Sequence, residues 1–152
     1  MLTIEDYSEI YLDKSWDWLN DPEIKKLTNT PDFTKEGQKL WFEGIFKNET
    51  YKVWGVRFDE TPIGVFGIKN IDYQSSTGEY FGYIGEKKYW GKGLGKEILS
   101  KIVDKAKFDI KLETLYLKVL IENEVAINLY KKFNFIEKNN DGNEIIMFKS
   151  LK

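Results

Sequence analysis

Between Glu79 and Ala106 a strand, a glycine-rich stretch and an amphipathic helix follow one another directly, and this unit limits the folds open to the chain more than any other segment. Glu79-Tyr-Phe-Gly-Tyr-Ile-Gly85 has the aromatic composition of a strand. From Lys87 to Gly95 the chain carries Gly91, Gly93 and Gly95 at alternate positions. Leu94, Ile98, Leu99, Ile102, Val103 and Ala106 then recur along one face of a helix. Glycines before a helix let backbone N–H groups approach a ligand, and the helix start adds unpaired donors with about half a positive charge. Anions bind such a place. Lys87, Lys88, Lys92 and Lys96, set against Glu86 and Glu97, reinforce that field. The bland alternative is a surface turn whose glycines serve loop geometry and whose lysines serve solubility. A dinucleotide G-x-G-x-x-G fails from either starting glycine, since Lys96 or Ile98 stands where Gly is needed. A P-loop fails too, with Trp90 in place of Gly and Glu97 in place of Ser or Thr.

The rest of the chain reads as strand, helix, helix, then a run of antiparallel strands. Met1 to Glu5 opens a strand and Ser8 to Asn20 a helix, which Asp21-Pro22 breaks. Ile24 to Pro31 is a polar connector with room for a helical turn, and Thr34 caps a helix whose buried face would include Leu40, Trp41, Ile45 and Phe46. Tyr51 to Phe58 and Ile63 to Tyr73 form a hairpin around Asp59-Glu-Thr-Pro62. Glu113 to Val119 is a strand, Asn123 to Phe133 a helix, and Phe135 to Lys138 with Ile145 to Phe148 a closing hairpin around Asn139-Asn-Asp-Gly142. This order indicates an α+β fold: a mixed, mostly antiparallel twisted sheet of about seven strands flanked by about four helices. With 152 residues and 16% aromatics the chain has the makings of one domain with a real core.

Composition excludes much chemistry. There is no Cys and no His, hence no thiolate nucleophile, imidazole base, Ser-His-Asp triad or ordinary zinc site, and no metal is expected. Acid–base work falls to Asp, Glu, Lys, Tyr or water. A net charge of -2, with Arg57 the only arginine, argues against a nucleic-acid binder. With no signal-like start and no long apolar run, a cytoplasmic protein without a membrane partner is expected.

Trp90-Gly-Lys-Gly-Leu-Gly95 resembles the acetyl-CoA pyrophosphate loop of the GNAT N-acetyltransferase superfamily. Gly93 and Gly95 match the family's glycines, and Trp90 stands where Arg or Gln is usual. A second segment, Asn123-Glu-Val-Ala126-Ile-Asn-Leu-Tyr130-Lys-Lys-Phe-Asn134-Phe135, is similar to the family's Asn-x-x-Ala-x-x-x-Tyr-x-x-x-Gly-Phe signature, with Asn134 replacing Gly. The resemblance implies a single GNAT-like domain over residues 1–152, with 1–50 on the acceptor side and 51–150 as the acetyl-CoA-binding core. It implies acetyl-CoA as acetyl donor and direct attack by a neutral primary amine, a route that needs neither His nor Cys. Gly91, Lys92, Gly93, Leu94, Gly95 and Lys96, with Trp90, would hold the pyrophosphate. The backbone of Tyr83, Ile84 and Gly85 would pair with the pantetheine amides. Asn123 and Ala126 would contact the pantetheine arm, Asn123 serving also or instead as a helix N-cap. Tyr130 would protonate the departing thiolate, or else be a core tyrosine. Glu79 would be the general base, directly or through water, or else a solvated strand-end charge.

The family places its acceptor pocket on the helices between the first two strands, here Trp16 to Phe46. Trp18-Leu-Asn20-Asp-Pro22-Glu23, with Trp41-Phe-Glu43 after it, resembles the Trp-Arg-Asn-x-Pro-Glu segment of enzymes that acetylate nucleotide-linked amino sugars, including those of the pseudaminic-acid pathway; Leu19 replaces the Arg. This implies Trp18, Asn20, Glu23 and Trp41 as substrate contacts, with Tyr73 expected to line the same cleft, although each tryptophan taken alone reads as core. A protein N-terminus or a polyamine is the other enzymatic reading, with Asp17, Asp21, Glu23 and Glu43 available to a polyamine. Outside enzymes, a non-catalytic acetyl-CoA sensor has the same loop. Oligomeric state is not readable from the residues, although the family often pairs strands or loops into dimers, which leaves a homodimer open.

Overall fold

The computed structural model describes residues 1–152, which form one seven-stranded sheet in the order β1-β2-β3-β4-β5-β7-β6. The strands are β1 (Leu2–Asp6), β2 (Lys52–Phe58), β3 (Thr61–Asp72), β4 (Thr77–Ile84), β5 (Thr114–Leu120), β6 (Ile136–Asn140) and β7 (Glu144–Ser150). All neighbours are antiparallel except β4 and β5. Helices α1 (Glu9–Asn20), α2 (Pro22–Leu27) and α3 (Lys35–Ile45) lie between β1 and β2 in sequence; α4 (Leu94–Asp104) joins β4 to β5 and α5 (Glu124–Lys132) joins β5 to β6. No helix is long and apolar enough to cross a membrane.

Strand alternation divides the apolar residues into two cores, one on each face of the sheet. Ile98, Leu99 and Ile102 of α4 and Ile127 of α5 join Phe66, Ile68, Tyr80, Leu115 and Met147 in the larger. Tyr11, Leu12 and Trp18 of α1, Ile24 of α2 and Ile45 of α3 gather around Val65 in the smaller.

Two local readings change. The break at Asp21-Pro22 is also a start: the Asp21 carboxylate accepts from the amides of Glu23 and Ile24, and Pro22 occupies the first turn, so α2 is a fifth helix. In α3, capped as expected by Thr34 against the Gly37 amide, Leu40 and Phe46 are each 63% exposed. The inward face is Gln38, Trp41, Phe42 and Ile45, at helical spacing, with Gln38 Nε2 donating to the Leu12 carbonyl and the rings of Trp41 and Phe42 against Tyr7.

The feature that positions the site is a parting of strands. β4 and β5 pair only at Thr77–Thr114, Gly78–Leu115 and Glu79–Tyr116. β4 then continues with β3 as far as Ile84, and β5 with β7 as far as Leu120. Each half follows its own twist, and a cleft opens between them beyond Glu79.

Candidate active site

The helix that leaves the cleft begins on an open cradle. Gly91 and Gly93 have φ of +72° and +77°, and Gly93 occupies the N-cap of α4, where it brings no side chain to cap it. A Cβ at either glycine would meet nothing within 4 Å, so left-handed backbone, not crowding, requires glycine there. The amides from Gly91 through Lys96 have no acceptor within the chain. At α5, by contrast, Asn123 Oδ1 accepts from the Ala126 amide at 3.3 Å, which makes Asn123 an N-cap and leaves its Nδ2 free. Ala126 is half-buried one turn before Tyr130. Lys92 and Lys96 are exposed beside the cradle. Lys87 is not part of that field: its ammonium is bound to Asp21 and Glu23, each at 3.0 Å.

Trp90 closes the other side of the loop. Its indole Nε1 donates to the Ile84 carbonyl at 2.8 Å, anchoring the loop to the end of β4. Of the three backbone positions expected to face a ligand, Gly85 already donates its amide to the Ile63 carbonyl at 2.7 Å. Tyr83 packs edge-on against Trp18 and donates its hydroxyl to Ser15 Oγ at 3.1 Å, so its side chain locks α1 to the sheet; burial raises its phenol above the ordinary range.

Two ionisable side chains flank the point where the strands part, on opposite faces of the sheet. Glu79, in the last β4–β5 pair, is 6% exposed; its Oε1 accepts from Asn70 Nδ2 at 3.0 Å, and Lys69 Nζ lies 4.0 Å from Oε2. The next residue, Tyr80, points into the larger core, where its ring meets that of Tyr130 at 6.1 Å and 78°. Tyr130 also touches Phe135 at 5.8 Å, and burial pushes its phenol up to about 12.

The residues expected on the acceptor side separate into packing and rim. Trp18 is buried, its Nε1 donating to Glu86 Oε1 at 3.1 Å. A Cβ on Gly85 would overlap its ring. Trp41 stacks edge-on with Tyr7 and Tyr51, and Tyr51 continues to Phe81, so an aromatic wall runs across the sheet face towards Glu79. Asn20 is exposed and donates to the Trp16 carbonyl. Glu23 is taken by Lys87. Tyr73 is exposed and gives its hydroxyl to the Glu49 carbonyl at 2.7 Å. A cavity of about 410 Å³ opens between α1, α2 and the β4–α4 loop, with Lys14, Asp17, Trp18, Asp21, Glu86 and Lys88 in its wall.

Asn70 and Tyr116, the neighbours of Glu79, escape the sequence reading. Asn70 depends on a strand irregularity, and Tyr116 on a parallel pairing between strands distant in sequence. The only local hint at Asn70 is an asparagine, a residue that tolerates left-handed backbone, near the end of a strand.

Residues 12–135 match the model of the acetyltransferase (GNAT) family. Among curated proteins, the chain is 27% identical over 122 residues to an uncharacterized N-acetyltransferase p20 of Bacillus licheniformis, covering 76% of this chain and 68% of that one. It is 25% identical over 138 residues to acetyltransferase PseH of Campylobacter jejuni, covering 89% and 85%. Among solved structures, spermidine N-acetyltransferase from Vibrio cholerae in complex with CoA and spermine superposes with a TM-score of 0.90, at 18% identity and over 99% of this chain and 95% of that one, a likeness of fold.

Proposed function

The chain belongs to the GNAT acetyltransferase family and is an acetyl-CoA-dependent N-acetyltransferase, and we propose from that premise that it acetylates the primary amine of a nucleotide-linked amino sugar, with Glu79 as base and Tyr130 as acid. The observation that carries the catalytic part is the position of these two groups on opposite faces of the sheet, at the residues where β4 leaves β5.

Acetyl-CoA supplies a thioester, and the residues present suit it. The free amides from Gly91 to Lys96, with Lys92 and Lys96 beside them, match a pyrophosphate. The unpaired edge of β4 suits the pantetheine amides; within Tyr83 to Gly85, the Ile84 amide N–H is the donor left for them, since the Gly85 amide is taken and the Ile84 carbonyl already accepts from Trp90. The free Nδ2 of Asn123, near Ala126, reaches the same arm in this reading. Glu79 takes a proton from the attacking nitrogen as the N–C bond forms. Tyr130 gives its proton to sulfur as the C–S bond breaks. Burial near Tyr80 keeps the phenol protonated throughout the neutral range, as an acid must be.

For the acceptor, charge separates the candidates. A polyamine needs unpaired carboxylates, and Asp21 and Glu23 are neutralised by Lys87. The Trp41–Tyr51–Phe81 wall offers ring faces and a hydroxyl, which suit a sugar. Trp18, Asn20, Glu23 and Tyr73 frame the entrance in this reading, with residues 1–50 as the acceptor side and 51–150 as the cofactor side. PseH, similar over 89% of the chain, adds support. The polyamine reading draws on the spermine-bound neighbour and on exposed Asp17 and Glu43. Thiol release from acetyl-CoA with amino-sugar nucleotides, spermidine, and Ala- or Ser-starting peptides decides. The highest kcat/KM is expected for an amino-sugar nucleotide; a clear preference for spermidine would replace this reading with the polyamine one, and no transfer to any amine would favour a sensor.

A further inference from the structure

Glu79 is the only buried carboxylate in the protein, and a backbone irregularity holds it. The pairing of β3 with β4 shifts register between Lys69 and Asp72, and Asn70, inside that bulge, has φ +51°. Left-handed backbone is rare outside glycine, and asparagine is among the residues that tolerate it best. Bulges re-aim side chains. Here the Asn70 amide is turned onto Glu79, with Nδ2 3.0 Å from Oε1.

The other groups facing Glu79 come from three elements. Lys69 of β3 stands 4.0 Å from Oε2, beyond hydrogen-bond length, and its ammonium also lies over the Phe81 ring. Tyr116 of β5 is its register partner, with a hydroxyl against the Asn70 amide and a phenol raised chiefly by burial, then by the Glu79 charge. Tyr51, at the foot of β2, is raised to about 12, first by burial. Oε1 therefore has a fixed donor and Oε2 has none at hydrogen-bond distance.

We propose that Asn70 is a positioning residue for the transfer reaction: its bulge-held amide occupies Oε1 and so presents Oε2 to the acceptor amine. This rests on Glu79 acting as the base. A single donor stops rotation of the carboxylate about its last bond, which fixes the oxygen that faces the amine.

The test is kcat and KM for the amine and for acetyl-CoA in the wild type, Asn70→Gly, Asn70→Asp and Glu79→Gln. Glycine adopts φ +51° without strain, so Asn70→Gly removes the amide and keeps the bulge. It should lower kcat about tenfold and leave both KM values within about twofold. Asn70→Asp should lower kcat at least as far, because a carboxylate has no N–H to donate to Oε1. Wild-type kcat in both Asn70 variants, or a loss carried by KM alone, overturns the proposal. Glu79→Gln separates the two failures. If it loses turnover while the Asn70 variants keep wild-type kcat, only the role of Asn70 falls. If it keeps wild-type turnover, the base reading fails and the proposal with it.

Discussion

The ring of Tyr130 meets the ring of Tyr80 edge-on, with centroids 6.1 Å apart at 78°. That contact holds the α5 tyrosine beside the first β4 residue beyond the last β4–β5 pair. Its neighbour Glu79 faces the opposite side of the sheet. The acid proposed at Tyr130 and the base proposed at Glu79 would thus reach one cleft from its two sides.

Tyr130→Phe keeps both ring contacts and removes only the hydroxyl, which has no hydrogen-bond partner within the chain. Turnover should fall about a hundredfold, as for loss of a general acid, with acetyl-CoA affinity within about twofold. The sign of the pH effect follows from the raised phenol: the acid form is complete at neutral pH and is lost only as pH rises through about 12. A basic limb at mildly alkaline pH therefore belongs to another group, and Tyr130→Phe should leave it in place.

Two glycines with different physical roles should fail differently. Gly93→Ala meets no neighbour but forces a side chain into left-handed backbone, at a cost of about 1–2 kcal/mol at the start of α4. Calorimetry should show acetyl-CoA affinity reduced about tenfold as the amide cradle shifts. Gly85→Ala drives a methyl into the Trp18 ring and should cost about 1–3 kcal/mol or more, lowering Tm by several degrees. Equal thermal stability in Gly85→Ala would contradict the packing of α1 on the sheet.

How much of this was legible in the sequence follows from the range of each interaction. The start of α4 is local, because the glycines and the apolar spacing lie side by side, and it reads directly. The capping of α3 by Thr34 is local too, whereas its inward face depends on where α1 lies, so Leu40 and Phe46 read as buried and are exposed. Lys87 reads as part of a basic loop because its partners Asp21 and Glu23 are far away in sequence. Asn70 carries almost no local signal, since its contact with Glu79 depends on a one-residue shift in pairing.

The Lys87 clasp ties α2 to the β4–α4 loop and predicts a pH-dependent stability. Lys87 holds the Asp21 carboxyl below its ordinary range, with the Ile24 amide adding to the effect, and Asp21, then Glu23, raise the Lys87 ammonium. A lowered acid contributes stability above its unfolded value and loses it as pH falls through the folded one. A raised base contributes below its unfolded value and loses it as pH rises through the folded one. Lys87→Met should therefore lower Tm at neutral pH by a small amount, and the gap to wild type should close at both extremes. A gap independent of pH would mean that packing, not charge, is what Lys87 supplies.

In the proposed mechanism the thioester is held where β4 and β5 part, between Glu79 and Tyr130. The most direct test is the distance from the CoA thiol sulfur to Tyr130 Oη in a crystal of the CoA complex. The expected distance is about 3–4 Å, direct or nearly direct hydrogen-bond reach, with the pyrophosphate on the amides from Gly91 to Lys96. A thiol more than about 8 Å from that oxygen, or a pyrophosphate seated elsewhere, would contradict it, since neither one bridging water nor a direct bond could then carry the proton.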